Sequence, residues 1–214
     1  MRIAILLFDR FTALDAVGPY EVLSRLPGAE VIFVGERTGP VRDQAGSLHL
    51  VARAGLGEVT DPDIVLVPGG PGQAAHMSDG PVHRWLRAVD ETSGWTTSVC
   101  TGSLVLAAAG LLSGRRATSH WLARDRLAEL GACPVGERVV VDGKYVTAAG
   151  VSAGIDMALT LVGRVAGDEL ARRIQLGIEY DPRPDHDAGA PDRAPAEVVD
   201  ELRARSRFAP GGQG

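Results

Sequence analysis

The chain alternates short, unbroken apolar runs with segments whose apolar residues recur at helical spacing. RIAILLF (2–8), EVIFVG (30–35), DIVLVPGG (63–70) and WTTSV (95–99) predict strands buried on both faces, as in a parallel sheet. Between them, GPYEVLSRL (18–26), PVHRWLRAVDET (81–92) and TGSLVLAAAGLL (101–112) predict helices. The third is apolar on nearly every side and so belongs at the centre of the fold. The pattern then predicts a strand at 116–119 and a helix at 121–131 closed by Gly131. A hairpin at 139–148, turning at Asp142-Gly143, and helices at 153–167 and 169–180 follow. A smaller hairpin at 40–43 and 48–52 has Gly46 in its turn.

Strand–helix alternation of this kind predicts an α/β fold with a mostly parallel sheet sandwiched by helices, spanning residues 1–180. No internal repeat is present. Composition changes after Tyr180: 181–195 is rich in Pro, Asp and Gly, and one amphipathic helix (196–205) precedes a frayed FAPGGQG end. Residues 181–214 are expected to be extended and to belong to the same domain or to a dimer interface. The alternative is a loose tail.

Bulk properties narrow the function classes. The chain has 214 residues, 45% of them hydrophobic, which suits one domain with a substantial core. A net charge of -5, from 22 basic and 27 acidic residues, is a poor match for nucleic acid or an anionic membrane. No apolar run approaches the ~18 residues of a membrane span. The apolar core of the N-terminal segment is shorter than a signal peptide requires, so a cytoplasmic protein is expected. Cys100 and Cys133, with five scattered histidines, give no zinc-ligand spacing, and in a reducing compartment no structural disulfide is expected.

Three features fall at the carboxyl ends of predicted strands, where open parallel sheets bind ligands. Asp15 follows the first strand, PGGPGQ (68–73) follows the third, and Cys100 in SVCTGS sits between a strand and the apolar helix. A free cysteine is commonly a small buried hydrophobe. At a strand-to-helix bend, however, helix N–H groups favour its thiolate and stabilise negative charge on a substrate. The glycine run matches neither a phosphate loop nor GxGxxG; it is an anion cradle facing Cys100 or an ordinary turn. Asp15, in apolar company, is a helix cap or a functional carboxyl with a raised pKa. His120 lines the pocket or packs against it, His49, His76, His83 and His186 read as surface residues, and Cys133 reads as structural or incidental.

LDAVGPYEVL (14–23), VLVPGGPG (65–72), SVCTGSLVLAAAGLLSGRRATSHW (98–121), YVTAAGVSAGIDMAL (145–159) and IQLGIEYDPRP (174–184) resemble the ThiJ/PfpI-type branch of the glutamine-amidotransferase-like superfamily. The resemblance covers nearly the whole chain and is strongest to members that hydrate isonitriles. It implies a flavodoxin-like α/β sandwich with a nucleophile elbow, usually a homodimer. It also implies addition of water to R–NC to give an N-substituted formamide, with no metal or organic cofactor. The working set carries over onto Cys100, Asp15 and Thr101, with anion-holding N–H groups at Gly70 and Thr101. Gly69 and His120 are further candidates for substrate contact, and Tyr20, Trp121 and Val151 for an apolar lining. AAGVSAGID lacks the later catalytic His of the amidotransferases, and Thr101 stands where the peptidase pattern has His. Only about 34 residues follow Tyr180, too few for the paired DNA-binding helices of the regulator branch. A glyoxalase- or deglycase-like activity on small aldehydes and a non-enzymatic ligand or redox sensor are the other readings of the same cysteine.

Overall fold

The computed structural model describes residues 1–208. Strands β1 (Arg2–Leu6), β2 (Glu30–Gly35), β5 (Ala54–Gly55), β6 (Ile64–Val67), β7 (Trp95–Val99), β10 (Val139–Asp142) and β11 (Tyr145–Ala148) form one sheet. Their order is β10-β11-β7-β6-β1-β2-β5, and every pair except β10–β11 is parallel. Ile3–Leu6 and all four residues of β6 are fully shielded from solvent. Each such aliphatic side chain contributes about 1.5–3 kcal/mol on leaving water, so these runs fix the sheet's centre.

Helices α1 (Ala13–Leu23), α2 (Pro81–Thr92), α3 (Gly102–Ala108), α4 (Arg126–Glu129), α5 (Ala153–Ala166), α6 (Asp168–Gly177) and α7 (Ala196–Ala204) flank it. α1 packs on α5, and α2 on α3. Strands β3 (Gly39–Arg42) and β4 (His49–Ala52) form the small antiparallel hairpin, with Gly46 at φ 82° in its turn. No helix among the described residues is long and apolar enough to cross a membrane.

Several boundaries differ from the sequence pattern. The first helix begins at Ala13, not Gly18, which places Asp15 in its first turn rather than in a loop. Gly18-Pro19 reads locally as a start signal, yet both residues lie inside the helix because α5 presses against them. A Cβ on Gly18 would meet Ile155 Cγ1 at 3.1 Å, and one on Gly154 would meet Pro19 Cγ at 3.1 Å. α3 ends at Ala108, short of 112, and Gly110 at φ 87° follows. The strand expected at 116–119 shrinks to β8 (Arg116–Ala117), which pairs with β9 (Cys133–Pro134) away from the main sheet. Most of 121–131 is turn, with α4 its one helical piece.

The C-terminal segment folds back on its own chain. Val199 of α7 is buried, Phe208 packs against the core, and the Arg203 guanidinium lies 5.8 Å from the Trp121 ring centre. Of the expected frayed end, residues 209–214 lie outside the described residues.

Candidate active site

The carboxyl ends of β1, β6, β7 and β11 converge on one sulfur. Cys100 follows β7 directly, with φ at 57°, a left-handed conformation uncommon for a residue with a Cβ. Four hydrogen bonds hold it there. Its N–H donates to the carbonyls of Ala148 and Ala149 at 3.0 and 3.2 Å. Its carbonyl accepts the hydroxyls of Ser103 and Ser119 at 3.1 and 3.0 Å. Strain of roughly 1–3 kcal/mol at such a residue persists only when its surroundings over-determine it, as they do here.

Asp15 reaches this bend from α1 and is completely buried. Its Oδ2 accepts the Gly69 N–H at 2.9 Å. Oδ1 has no ordinary hydrogen-bond partner, and the other group acting on the carboxyl is the Cys100 thiol. Burial raises the Asp15 pKa from 3.8 to about 7, opposed by the Gly69 N–H and the thiol.

The thiol is likewise pushed well above its ordinary value, first by burial and then by the Asp15 charge. The N–H and hydroxyl of Thr101 act in the opposite direction. This corrects the expectation of a depressed thiol pKa at a helix N-terminus. α3 has only seven residues, and loss of solvent outweighs its dipole. The thiol hydrogen bond favours the ionised carboxyl, while the carboxylate charge opposes the thiolate, so the proton stays shared within the pair.

The glycine loop serves this pair in an unexpected way. The Gly69 N–H goes to Asp15, and the Gly70 N–H donates to Thr101 Oγ1 at 3.0 Å. Neither faces open space as an anion cradle; the loop orients the carboxyl and the hydroxyl instead. A Cβ on Gly69 would lie 2.5 Å from Thr101 N and 2.9 Å from Cys100 Cβ, so only glycine lets loop and bend meet. The Thr101 hydroxyl, which accepts from the Gly70 N–H, also donates weakly to the Gly70 carbonyl at 3.5 Å and acts on the Cys100 thiol.

His120 is beside the sulfur. A methyl group on Gly150 would sit 2.4 Å from His120 Cδ2 and 3.2 Å from Cys100 Sγ, so the bare glycine maintains the space that ring and thiol share. Sequence reasoning missed Gly150, because no left-handed turn marks it. His120 Nδ1 accepts the Leu122 N–H at 3.3 Å, and burial with the nearby Arg207 charge lowers its pKa. Both effects favour the neutral imidazole, and an accepting Nδ1 leaves the ring proton to Nε2.

A cavity of about 520 Å³ adjoins Gly150 and Ser119 and is lined also by Trp121, Arg138 and Pro191; Cys100, Asp15 and His120 are not in its lining. Of the expected apolar lining, only Trp121 takes part; the Tyr20 ring packs 5.4 Å from that of Phe33. A larger cleft of about 650 Å³ lies between Phe8, Arg42 and His76 and shares no residue with those around the sulfur. Cys133 is exposed and remote in sequence from any converging group. His83 is not on the surface: it is buried, its Nε2 2.9 Å from the His76 carbonyl.

A buried cysteine on a left-handed bend, faced by a carboxyl from the first helix, defines a class of α/β protein. Residues 1–164 match the DJ-1/PfpI family, and the chain belongs to it. It is 45% identical over 206 residues to the isonitrile hydratase of Pseudomonas putida, covering 96% of this chain and 90% of that protein. It is 29% identical over 145 residues to the glutathione-independent glyoxalase DJR-1.2 of Caenorhabditis elegans, covering 66% and 76% respectively. The crystal structure of a ThiJ/PfpI family protein from Pseudomonas syringae superposes with a TM-score of 0.91 at 40% identity, covering 94% of this chain and 84% of that one.

Proposed function

We propose that this protein is an isonitrile hydratase, converting R–NC and water to an N-substituted formamide through a thioimidate on Cys100. The observation that carries the reading is the dry Cys100–Asp15 pair, whose carboxyl takes up and gives back a proton near neutrality. It stands in a chain that is 45% identical, over nearly its whole length, to a protein of that activity.

An isonitrile accepts a nucleophile and a proton on the same terminal carbon. Ionised Asp15 takes the thiol proton as sulfur bonds to that carbon, then delivers the proton to it. The product is R–N=CH–S–Cys100, with Asp15 ionised again. Thr101 offers its hydroxyl proton to a water, and Asp15 removes a proton from that water as oxygen bonds to carbon. The imine nitrogen takes the proton relayed by Asp15. The C–S bond of R–NH–CH(OH)–S–Cys100 then breaks, the hydroxyl proton returns to sulfur, and R–NH–CHO leaves. A site that moves one proton with a matched pKa needs no fixed charge on a neutral substrate.

A homodimer and a cytoplasmic setting complete the reading. The homodimer rests on the family resemblance, and the two free cysteines suit a reducing compartment such as the cytoplasm.

Formamide production from an aryl isonitrile, followed by absorbance, tests the proposal. Cys100→Ser should abolish it. Full turnover by that variant removes the nucleophile, and faster lactate production from methylglyoxal than isonitrile turnover assigns the site to aldehydes instead.

A further inference from the structure

The C-terminal segment ends on the catalytic loop. Arg207 Nη1 donates to the Pro71 carbonyl at 2.6 Å, and Nη2 donates to the Gly70 carbonyl at 3.2 Å and to Gln73 Oε1 at 2.9 Å. All three acceptors are neutral. No carboxylate lies within ion-pair distance of this half-buried guanidinium among the described residues. The acceptor Gly70 is also the residue whose N–H holds the Thr101 hydroxyl, one residue from the sulfur. The segment is anchored on both sides of this contact, by Arg203 over Trp121 and by Phe208 against the core.

A partly desolvated cation that meets only neutral dipoles among the described residues is incomplete, since burial of charge is offset by an opposite charge nearby. Of the two acids of this site, Asp15 and Cys100, the sulfur is the one whose negative charge acts on Arg207. We infer that the C-terminal segment completes the active site, with Arg207 as a positioning residue whose charge holds the Cys100 thiolate while it adds to substrate. Sulfur, carboxyl and guanidinium then form a triad from β7, α1 and the tail. Asp15 removes the proton and Arg207 stabilises what remains. Burial lowers the Arg207 pKa and the neighbouring Arg10 adds to that, while a negative Cys100 acts in the opposite direction and favours the charged guanidinium. The titratable and charged groups around the sulfur are thus Asp15, His120 and Arg207, with Arg10 beyond. The inference rests on Cys100 acting as a nucleophile, and its test does not require isonitrile turnover.

The test is alkylation of Cys100 by iodoacetamide from pH 6 up to the alkaline limit of the folded state, in a Cys133→Ser background, because Cys133 is exposed. The unaltered tail, Arg207→Met, Arg207→Gln and Arg207→Lys are compared. Loss of the cation should move the alkylation midpoint to higher pH and slow the reaction at pH 7 about tenfold. Arg207→Lys should restore most of the rate. The plateau at high pH reads accessibility separately. A midpoint that does not move in Arg207→Met and Arg207→Gln overturns the inference. So does a raised plateau with an unmoved midpoint, which makes the tail a mere cover. If either neutral variant fails to fold, the other carries the comparison, and Arg207→Lys behaving like a neutral variant also overturns it. A shifted midpoint in a protein that leaves isonitriles untouched upholds Arg207 and removes the hydratase reading instead.

Discussion

Two buried carboxyls stand at opposite ends of the same sheet, and they are built for opposite purposes. Asp90, on α2, meets the strands at their amino ends. Its Oδ1 accepts the Thr96 hydroxyl at 2.6 Å and its Oδ2 the Tyr145 hydroxyl at 2.8 Å, while Lys144 Nζ lies 3.2 Å from Oδ2. Both oxygens are satisfied and a cation is at hand, so the group locks α2 to β7 and β11. The arrangement pushes the Tyr145 pKa up to about 12, through burial first and then the hydrogen bond to Asp90. Asp15, at the carboxyl ends, has one backbone donor, one unpartnered oxygen and a thiol. A carboxyl that is satisfied stabilises structure, and one left partly unsatisfied keeps a proton available.

The comparison breaks most clearly at turnover. Asp15→Asn keeps shape and removes the proton carrier, so kcat/KM for isonitrile should fall about 10²–10⁴-fold. Asp90→Asn should leave turnover per folded molecule within about threefold. Equal losses in the two variants would erase the distinction.

Stability against pH sharpens it. The folded Asp15 pKa is raised above its unfolded value of 3.8 to about 7. Between those values the folded state binds more protons than the unfolded one, so stability falls as pH rises. The favourable contribution of the protonated carboxyl is fully present below about pH 4 and is gone above about pH 7. The difference is on the order of 4 kcal/mol. Urea unfolding from pH 4 to 8 should show this decline in the unaltered protein and lose it in Asp15→Asn.

Gly150→Ala tests the space around the sulfur rather than its charge. The added methyl must displace the His120 ring and crowd Sγ, and a displacement of this size costs about 10²-fold in kcat/KM. A variant with unchanged kinetics would show that the ring moves aside freely. The smallest effect is on Asp90 itself. Asp90→Ala strands the Tyr145 hydroxyl and takes the carboxylate from Thr96 and Lys144, which should lower unfolding free energy by about 1–3 kcal/mol, read by thermal or urea denaturation.

Much of this was legible beforehand. The runs at 2–8, 63–70 and 95–99 announced the central strands, because strands buried on both faces carry no polar alternation. SVCTGS announced the bend, because small residues after a strand permit a tight turn into a helix. Asp15 was visible as an acid among apolar neighbours, though its helix was not. Gly18-Pro19 signals a boundary locally, and only the close approach of α5 explains why both residues sit inside α1. His83 looked polar and exposed, yet it lies buried beneath the His76 carbonyl.

What the amino-acid sequence determined by itself was the order of elements and the place of Cys100 at a strand-to-helix bend, since both follow from neighbours along the chain. Tertiary structure alone decided which groups meet that sulfur. Asp15 bonds a residue 54 positions away, and Arg207 one 137 positions away. The rise of the Asp15 pKa, the inward turn of the Gly69 and Gly70 N–H groups and the space guarded by Gly150 belong to the same class. Each depends on solvent exclusion or close approach between distant segments, and local pattern does not encode either quantity.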